Sequence, residues 1–305
     1  MKFSGFAAAA LAAASVAGSA FAADLPSRKA PPSLIAPAPA LTWSGFYVGL
    51  NAGYSWDASN STTISTMPGF IDTSGGLSPL GMAHAADFAL ASNGVLAGGG
   101  RGGFIGGGQV GFNWQMGSIV AGIETDIQGM VGQGSSSGAG ANIASMGGES
   151  PVASLMNASR TIDYLGTLRG RLGYAITPSV LAFATGGLAY GGVSSSGSVY
   201  SAEVVPSGIL PAMTAGSYAS MRVGWTAGAG VEYMFAQNWS AKLEYMYYDL
   251  GSSTYAMAPL VSTNAGALAL AHIPMVSTRY NGHIIRAGLN YHFNFGDSAP
   301  IVAKY

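Results

Sequence analysis

Nine charged side chains sit at alternate positions inside stretches of mostly apolar and small residues: Glu124, Asp126, Arg169, Arg171, Arg222, Glu232, Lys242, Glu244 and Arg286. A spacing of two puts such residues on one face of an extended strand. Four acids and five bases sharing an enclosed face have two uses. They line a path for ions, or they neutralise one another as a packed core, because a charge buried without a partner is expensive.

Other chemistry finds less support. Serine is abundant in runs such as Ser135-Ser136-Ser137, but no motif fixes a histidine or an acid beside one, as an activated nucleophile requires. The histidines, at 84, 272, 283 and 292, form no pair at metal-ligand spacing, so no metal site is expected. His84 lies near Met82, and His272 precedes Met275; both histidines are candidate haem contacts of known axial type, against the plainer reading that they fill apolar loops. Gly98-Gly99-Gly100-Arg101-Gly102-Gly103 leads into a strand rather than a helix and fails the context of a phosphate loop. The expectation is a protein without enzymatic activity, metal or cofactor.

The elements that must hold the nine charges follow from composition. Apolar residues make up 49% of the 305 and charged residues 8%, against roughly 25% charged in soluble domains. Lipid must therefore solvate much of the surface, yet no mature stretch offers the ~20 continuous apolar residues of a spanning helix. A lipid-spanning structure without helices has to be a closed barrel, in which every backbone amide finds a partner. Forty-six glycines weigh against helices. A net charge of −1 excludes a strongly basic nucleic-acid surface, so no nucleic-acid partner is expected. The absence of cysteine excludes disulfides and thiolate metal sites.

Residues 1–22 read as a signal peptide, with Lys2, an Ala/Leu-rich core and a small-x-small site at Ala20-Phe21-Ala22. Residues 23–40, with five prolines, read as an extended periplasmic linker. The barrel is expected over 41–295 and a tail over 296–305.

Within the barrel, eight alternating segments stand out: 43–57, 104–116, 119–129, 161–176, 180–193, 221–235, 239–250 and 280–295. The phase of 180–193 stays open, because both of its faces are small or apolar. Trp43, Trp56, Trp114, Tyr174, Trp239 and Phe293 stand at segment ends, where an interfacial aromatic girdle belongs. Tight turns at 116–118, 177–179 and 236–238 alternate with long stretches of roughly 25 to 45 residues, the asymmetry of short periplasmic turns and long outer loops. The fold class expected is therefore all-β, an eight-stranded antiparallel transmembrane barrel. At that strand number the interior is just wide enough for side chains to fill, which favours the packed core over the conduit.

Trp43-Ser44-Gly45-Phe46-Tyr47-Val48-Gly49, with Asn51-Ala52-Gly53-Tyr54 after it, resembles the small outer-membrane immunogenic, porin-family proteins of alphaproteobacteria, which carry an OmpA-like β-barrel. The Ala-Phe-Ala-Ala-Asp-Leu-Pro junction at 20–26 is similar, as are Gly166-Thr167-Leu168-Arg169-Gly170-Arg171-Leu172-Gly173-Tyr174, Thr185-Gly186-Gly187-Leu188-Ala189-Tyr190-Gly191 and Gly224-Trp225-Thr226-Ala227-Gly228-Ala229-Gly230-Val231-Glu232-Tyr233. The resemblance implies an outer-membrane location, outer-membrane lipid and the barrel-assembly machinery as partners, and a role in envelope integrity or host contact, with haem binding in some members. Such chains usually end on the aromatic that closes the last strand; here twelve residues follow Phe293.

The function expected is that of a structural, surface-interacting barrel with a plugged lumen, meeting any host or envelope partner through its loops. A small passive channel and a haem or other ligand receptor stand as the alternatives.

Overall fold

The computed structural model describes residues 41–68, 79–98, 102–131, 136–145, 151–205, 208–264 and 267–293. The signal peptide, the proline-rich linker and the tail expected from the sequence lie outside the described residues. Among those described, the elements are β1 (Gly45–Asp57), β2 (Ser61–Met67), α1 (Pro79–Ala91), β3 (Gly94–Ala97), β4 (Gly103–Met116), β5 (Ile119–Val131), β6 (Ser136–Ala144), β7 (Val152–Thr177), β8 (Val180–Val205), β9 (Gly208–Ala236), β10 (Trp239–Ala256), β11 (Leu260–Asn264) and β12 (Ala267–Phe293).

Antiparallel pairing runs from β1 through β4, β5, β7, β8, β9 and β10 to β12, and β12 pairs back with β1. The wall has no free edge along this path, which is the arrangement that satisfies every ladder amide. Tight two-residue turns at Gly117-Ser118, Pro178-Ser179 and Gln237-Asn238 join neighbours at one end. Gly117 makes the first of them at a φ of 64°, in the left-handed region that side chains disfavour.

The other end departs from the sequence reading. Among the described residues, much of the long connections is strand that continues the wall. β7 and β8 run for 26 residues, β12 for 27 and β9 for 29, far beyond the ~9–11 that cross a bilayer. β6 adds to β7, β2 and β11 add to β12, and β3 adds to β2. Alternating apolar and small residues in the connections supply the extra length, so these strands extend well past the segments that alternation marks out. A register shift at Ile162/Tyr164 on β7 and another at Asp249/Ser252 on β10 mark where the wall changes from its lower to its upper part. Gly251 serves the second bulge at a φ of 78°.

Inside, side chains fill the wall in successive layers. Nearest the turns, Trp43, Val120, Leu181 and Met234 pack together. A charged layer follows. Above it lie Leu165, Ile162, Val193, Met246, Tyr248 and Ile284, then the ion pair of Arg160 with Asp57 at 3.2 Å, then Ile64, Leu96, Met156, Val199 and Val276. At the far end α1 lies against the inward faces of the strands, with Ala85, Phe88 and Ala91 buried on Val152, Ala212 and Leu260. Its Ala-rich sequence favours helix, and it shows no one-sided apolar stripe because it is buried on more than one side.

Candidate functional site: the charged lumen layer

The charged layer is assembled by register. Glu124 on β5 lies opposite Arg169 on β7, Lys242 on β10 opposite Glu232 on β9, and Glu244 on β10 opposite Arg286 on β12. Strand alternation then turns Arg171 and Asp126, two residues from Arg169 and Glu124, into the same space. All eight side chains are buried.

Arg169 is the hub. It binds Glu124 and Glu244, and reaches Asp126 at 2.8 Å. Arg286 reaches Glu244 at 2.7 Å, Asp126 at 2.9 Å and Glu124 at 3.5 Å. The Lys242 ammonium donates to both Glu124 oxygens at 2.9 Å and lies 3.5 Å from Glu244. Arg171 pairs with Glu232, and its guanidinium stacks over Phe183 at 4.0 Å. The four acids meet four bases, so the layer is neutral, and each carboxylate contacts a cation, as burial demands.

Arg222 is the exception among the nine charges read from the sequence. It donates to the main-chain carbonyls of Leu250 at 3.3 Å and Ser252 at 2.5 Å, beside the β10 bulge, and takes no part in the layer. Its strand parity is inward, but it stands five rows above Glu232's pair, where the bulge offers carbonyls and the acids are out of reach.

Several partners escape a reading of the sequence. The Tyr47 hydroxyl donates to Glu124 at 2.6 Å. Asn290 donates to Glu232 at 2.7 Å, and Ser240 joins Glu232 to His292. Thr167 donates to Asp126 at 2.8 Å. The Arg160–Asp57 pair is not legible either, because Arg160 falls one residue before its alternating segment. Tyr47, His292 and Asn290 share the inward parity of their strands, and that parity is the available signal. Tyr47→Phe removes a donor from a buried carboxylate and is expected to cost about 1.5–3 kcal/mol, read as a lowered urea midpoint of the refolded protein.

The aromatic assignments divide. Trp114, Tyr174, Trp239 and Phe293 face outward and exposed, and Trp56 stacks on His283 at 5.5 Å near the opposite rim. Trp43 is a correction: it is wholly buried and meets His292 edge-on at 5.9 Å, so it closes the interior rather than joining a girdle. It precedes β1, where the chain turns inward and the alternation of the strand no longer applies.

His272, read from the sequence as a loop residue, is instead fully buried on β12 and stacked on Phe88 at 5.5 Å. Only the backbone of His84 is described, within α1; its side chain lies outside the described residues. Burial pushes His272 down to about 4 from an ordinary 6.5. The folded ring stays neutral while the unfolded one binds a proton, so packing of the far end is intact above pH 6.5 and weakens as pH falls from there towards 4. Protease cleavage in the upper wall should therefore rise between about pH 7.5 and 5, and His272→Phe should flatten that rise; equal rates in the two proteins would sink this reading.

Comparisons with known proteins place the chain. Residues 6–293 match the family model described as the outer membrane protein beta-barrel domain. The 31 kDa outer-membrane immunogenic protein of Brucella melitensis is 31% identical over 300 residues, covering 92% of this chain and 96% of that one. The 22 kDa outer membrane protein of Rhizobium leguminosarum is 32% identical over 151 residues, covering 49% and 54%. Among solved structures, the outer membrane protein OprG of Pseudomonas aeruginosa aligns over 82% of this chain and 97% of its own at a TM-score of 0.36 and 9% identity, too low to carry an argument. With an all-β antiparallel wall, a family match over most of its length and relatives named for the outer membrane, the chain belongs to the outer membrane β-barrel family, and its place is the outer membrane of a Gram-negative cell.

Proposed function

We propose that the protein is a non-conducting, non-enzymatic envelope barrel: eight strands cross the membrane, the lumen is a structural core, and the wall beyond the membrane meets partners. The tight turns then face the periplasm and α1 lies at the extracellular end. The observation that carries this reading is the neutral, fully buried charged layer around Arg169, with apolar layers on both sides of it. A water-filled path would leave such side chains hydrated; here they are spent on one another.

Outward aromatics support the membrane placement. Phe104 and Trp114 on β4, and Trp225 and Phe235 on β9, are exposed and about ten residues apart, the length of a tilted spanning strand. Between them the outward side chains are apolar or small.

Planar-bilayer recording of the refolded barrel, with folding verified by heat-modifiable gel mobility, tests the reading. Silent membranes are expected. Reproducible unitary openings from folded protein would replace it with the small-channel reading and make Arg169 and Glu124 selectivity residues.

A further inference from the structure

The outward face of β7, β8 and β9 carries three belts, one above another, and the register orders them row by row. The lowest is the lipid belt, which takes in the row Leu168, Leu188 and Trp225, then Gly166, Tyr190 and Val223, and ends in Tyr164, Gly192 and Met221. Above the β7 bulge come three rows of small residues: Thr161, Ser194 and Ala219; Ser159, Ser196 and Ser217; Asn157, Ser198 and Ala215. Higher still the surface becomes apolar again. Leu155, Tyr200 and Met213 form one row, and Ala153, Ala202 and Pro211 the next, extended by Ile143 on β6 and by Val204 paired with Ile209.

This upper belt is open. Ile143 is 77% exposed, Met213 74% and Ile209 64%, and Leu155, Val204 and Tyr200 are also exposed. Lipid does not cover it, because the hydroxyl rows separate it from the membrane belt. Contiguous exposed apolar faces of this kind on a folded wall mark contact with another protein.

We infer that a second copy of this chain covers it, the two barrels standing side by side with β7–β8–β9 against β7–β8–β9. Three features select that occupant. First, the membrane holds both copies at one height and in one orientation, so a two-fold axis along its normal brings each belt onto the same belt of the partner. Isologous interfaces have this self-matching character. A soluble partner has no reason to repeat an apolar belt, a hydroxyl belt and a second apolar belt at these heights. Second, the described residues of the three hydroxyl rows and of the upper belt carry no charge, Asp163 at the β7 bulge lying below them, so these belts meet their own copy without like-charge repulsion. Third, six large apolar side chains leaving on the order of 100 Å² each, with the small residues between them, approach the ~800 Å² per partner of a stable interface. The small middle rows let two sheets come within the ~10 Å of packed β-layers.

This pairing does not require a closed lumen, and its test reads a different property. The native chain has no cysteine, so single cysteines report proximity directly in the outer membrane of producing cells. Ser196→Cys, in the middle hydroxyl row, should form an oxidant-induced disulfide dimer. Ser65→Cys, equally a surface serine but on β2, should not. Adding Leu155→Glu and Met213→Glu to Ser196→Cys should reduce the dimer at least tenfold, with heat-modifiable mobility retained as evidence of folding. Equal cross-linking of Ser196→Cys and Ser65→Cys, or a dimer that survives both glutamates in folded protein, would overturn the proposal. Should the glutamate variant fail to fold, the comparison of the two single-cysteine proteins decides alone.

Discussion

Arg169→Ala is expected to lower the stability of the folded barrel by about 3–5 kcal/mol, the usual consequence of removing one partner from a buried ion network. Three carboxylates, Glu124, Asp126 and Glu244, converge on this guanidinium. Without it they are left facing Lys242 and Arg286, with Arg171 4.0 Å from Glu124, and the layer's four acids meet three bases. The Tyr47 hydroxyl cannot compensate, since it already donates to Glu124. Urea unfolding in detergent micelles, followed by tryptophan fluorescence and by loss of heat-modifiable mobility, measures the effect. Adding Glu244→Gln removes the surplus charge and should recover part of the loss, because coupled residues in one network are not additive. An Arg169→Ala protein with an unchanged midpoint and a new conductance would show that the layer gates a path and does not hold the fold.

Leu168→Arg is expected to cost about 2–4 kcal/mol, and Leu155→Arg, on the same strand and the same outward face, close to nothing. Leu168 and Leu155 are similarly exposed, 52% and 54%. Solvent exposure alone would make the two substitutions equal. They differ in what surrounds them: Leu168 lies between Tyr174 and Tyr164, near the middle of the lipid belt, where a cation loses its hydration. Leu155 lies beyond the hydroxyl rows, in water when a barrel folds singly in a dilute vesicle, where a surface change is usually within about ±0.5 kcal/mol. Folding efficiency and urea midpoints in lipid vesicles read both. A Leu155→Arg penalty as large as that of Leu168→Arg would place the upper wall in lipid and move the membrane boundary above the hydroxyl rows.

Much of the wall is legible in the sequence because β-structure has a period of two. Alternation alone assigns Glu124, Asp126, Arg169, Arg171, Glu232, Lys242, Glu244 and Arg286 to one side, and the structure brings all eight together. The same alternation puts Trp114, Tyr174, Trp239 and Phe293 outside. It fails where period two carries no contrast or does not apply. In β8 both faces are small, and only pairing with β7 and β9 shows Leu181, Phe183, Thr185 and Ala189 inward and Leu188 outward. Trp43 stands before its strand, and α1 occupies what reads as a loop.

Composition and alternation therefore settle the kind of solvent and, where the two faces of a strand contrast, the side each residue faces. Few charges, no spanning helix and alternating apolar faces leave a closed barrel in lipid as the arrangement that satisfies the backbone. Height along the wall and the choice of partner come from strand pairing alone. Arg222 and Arg286 have the same inward parity, yet Arg286 meets Glu244 while Arg222 meets backbone carbonyls at a bulge. The same holds in the long connections, where the described strand β2 pairs with β12, a partner far outside any short window. Side-chain parity is a local property of the chain. Register, and with it which charges touch, is set between strands far apart in the sequence, such as β1 and β12, and no short window of residues contains it.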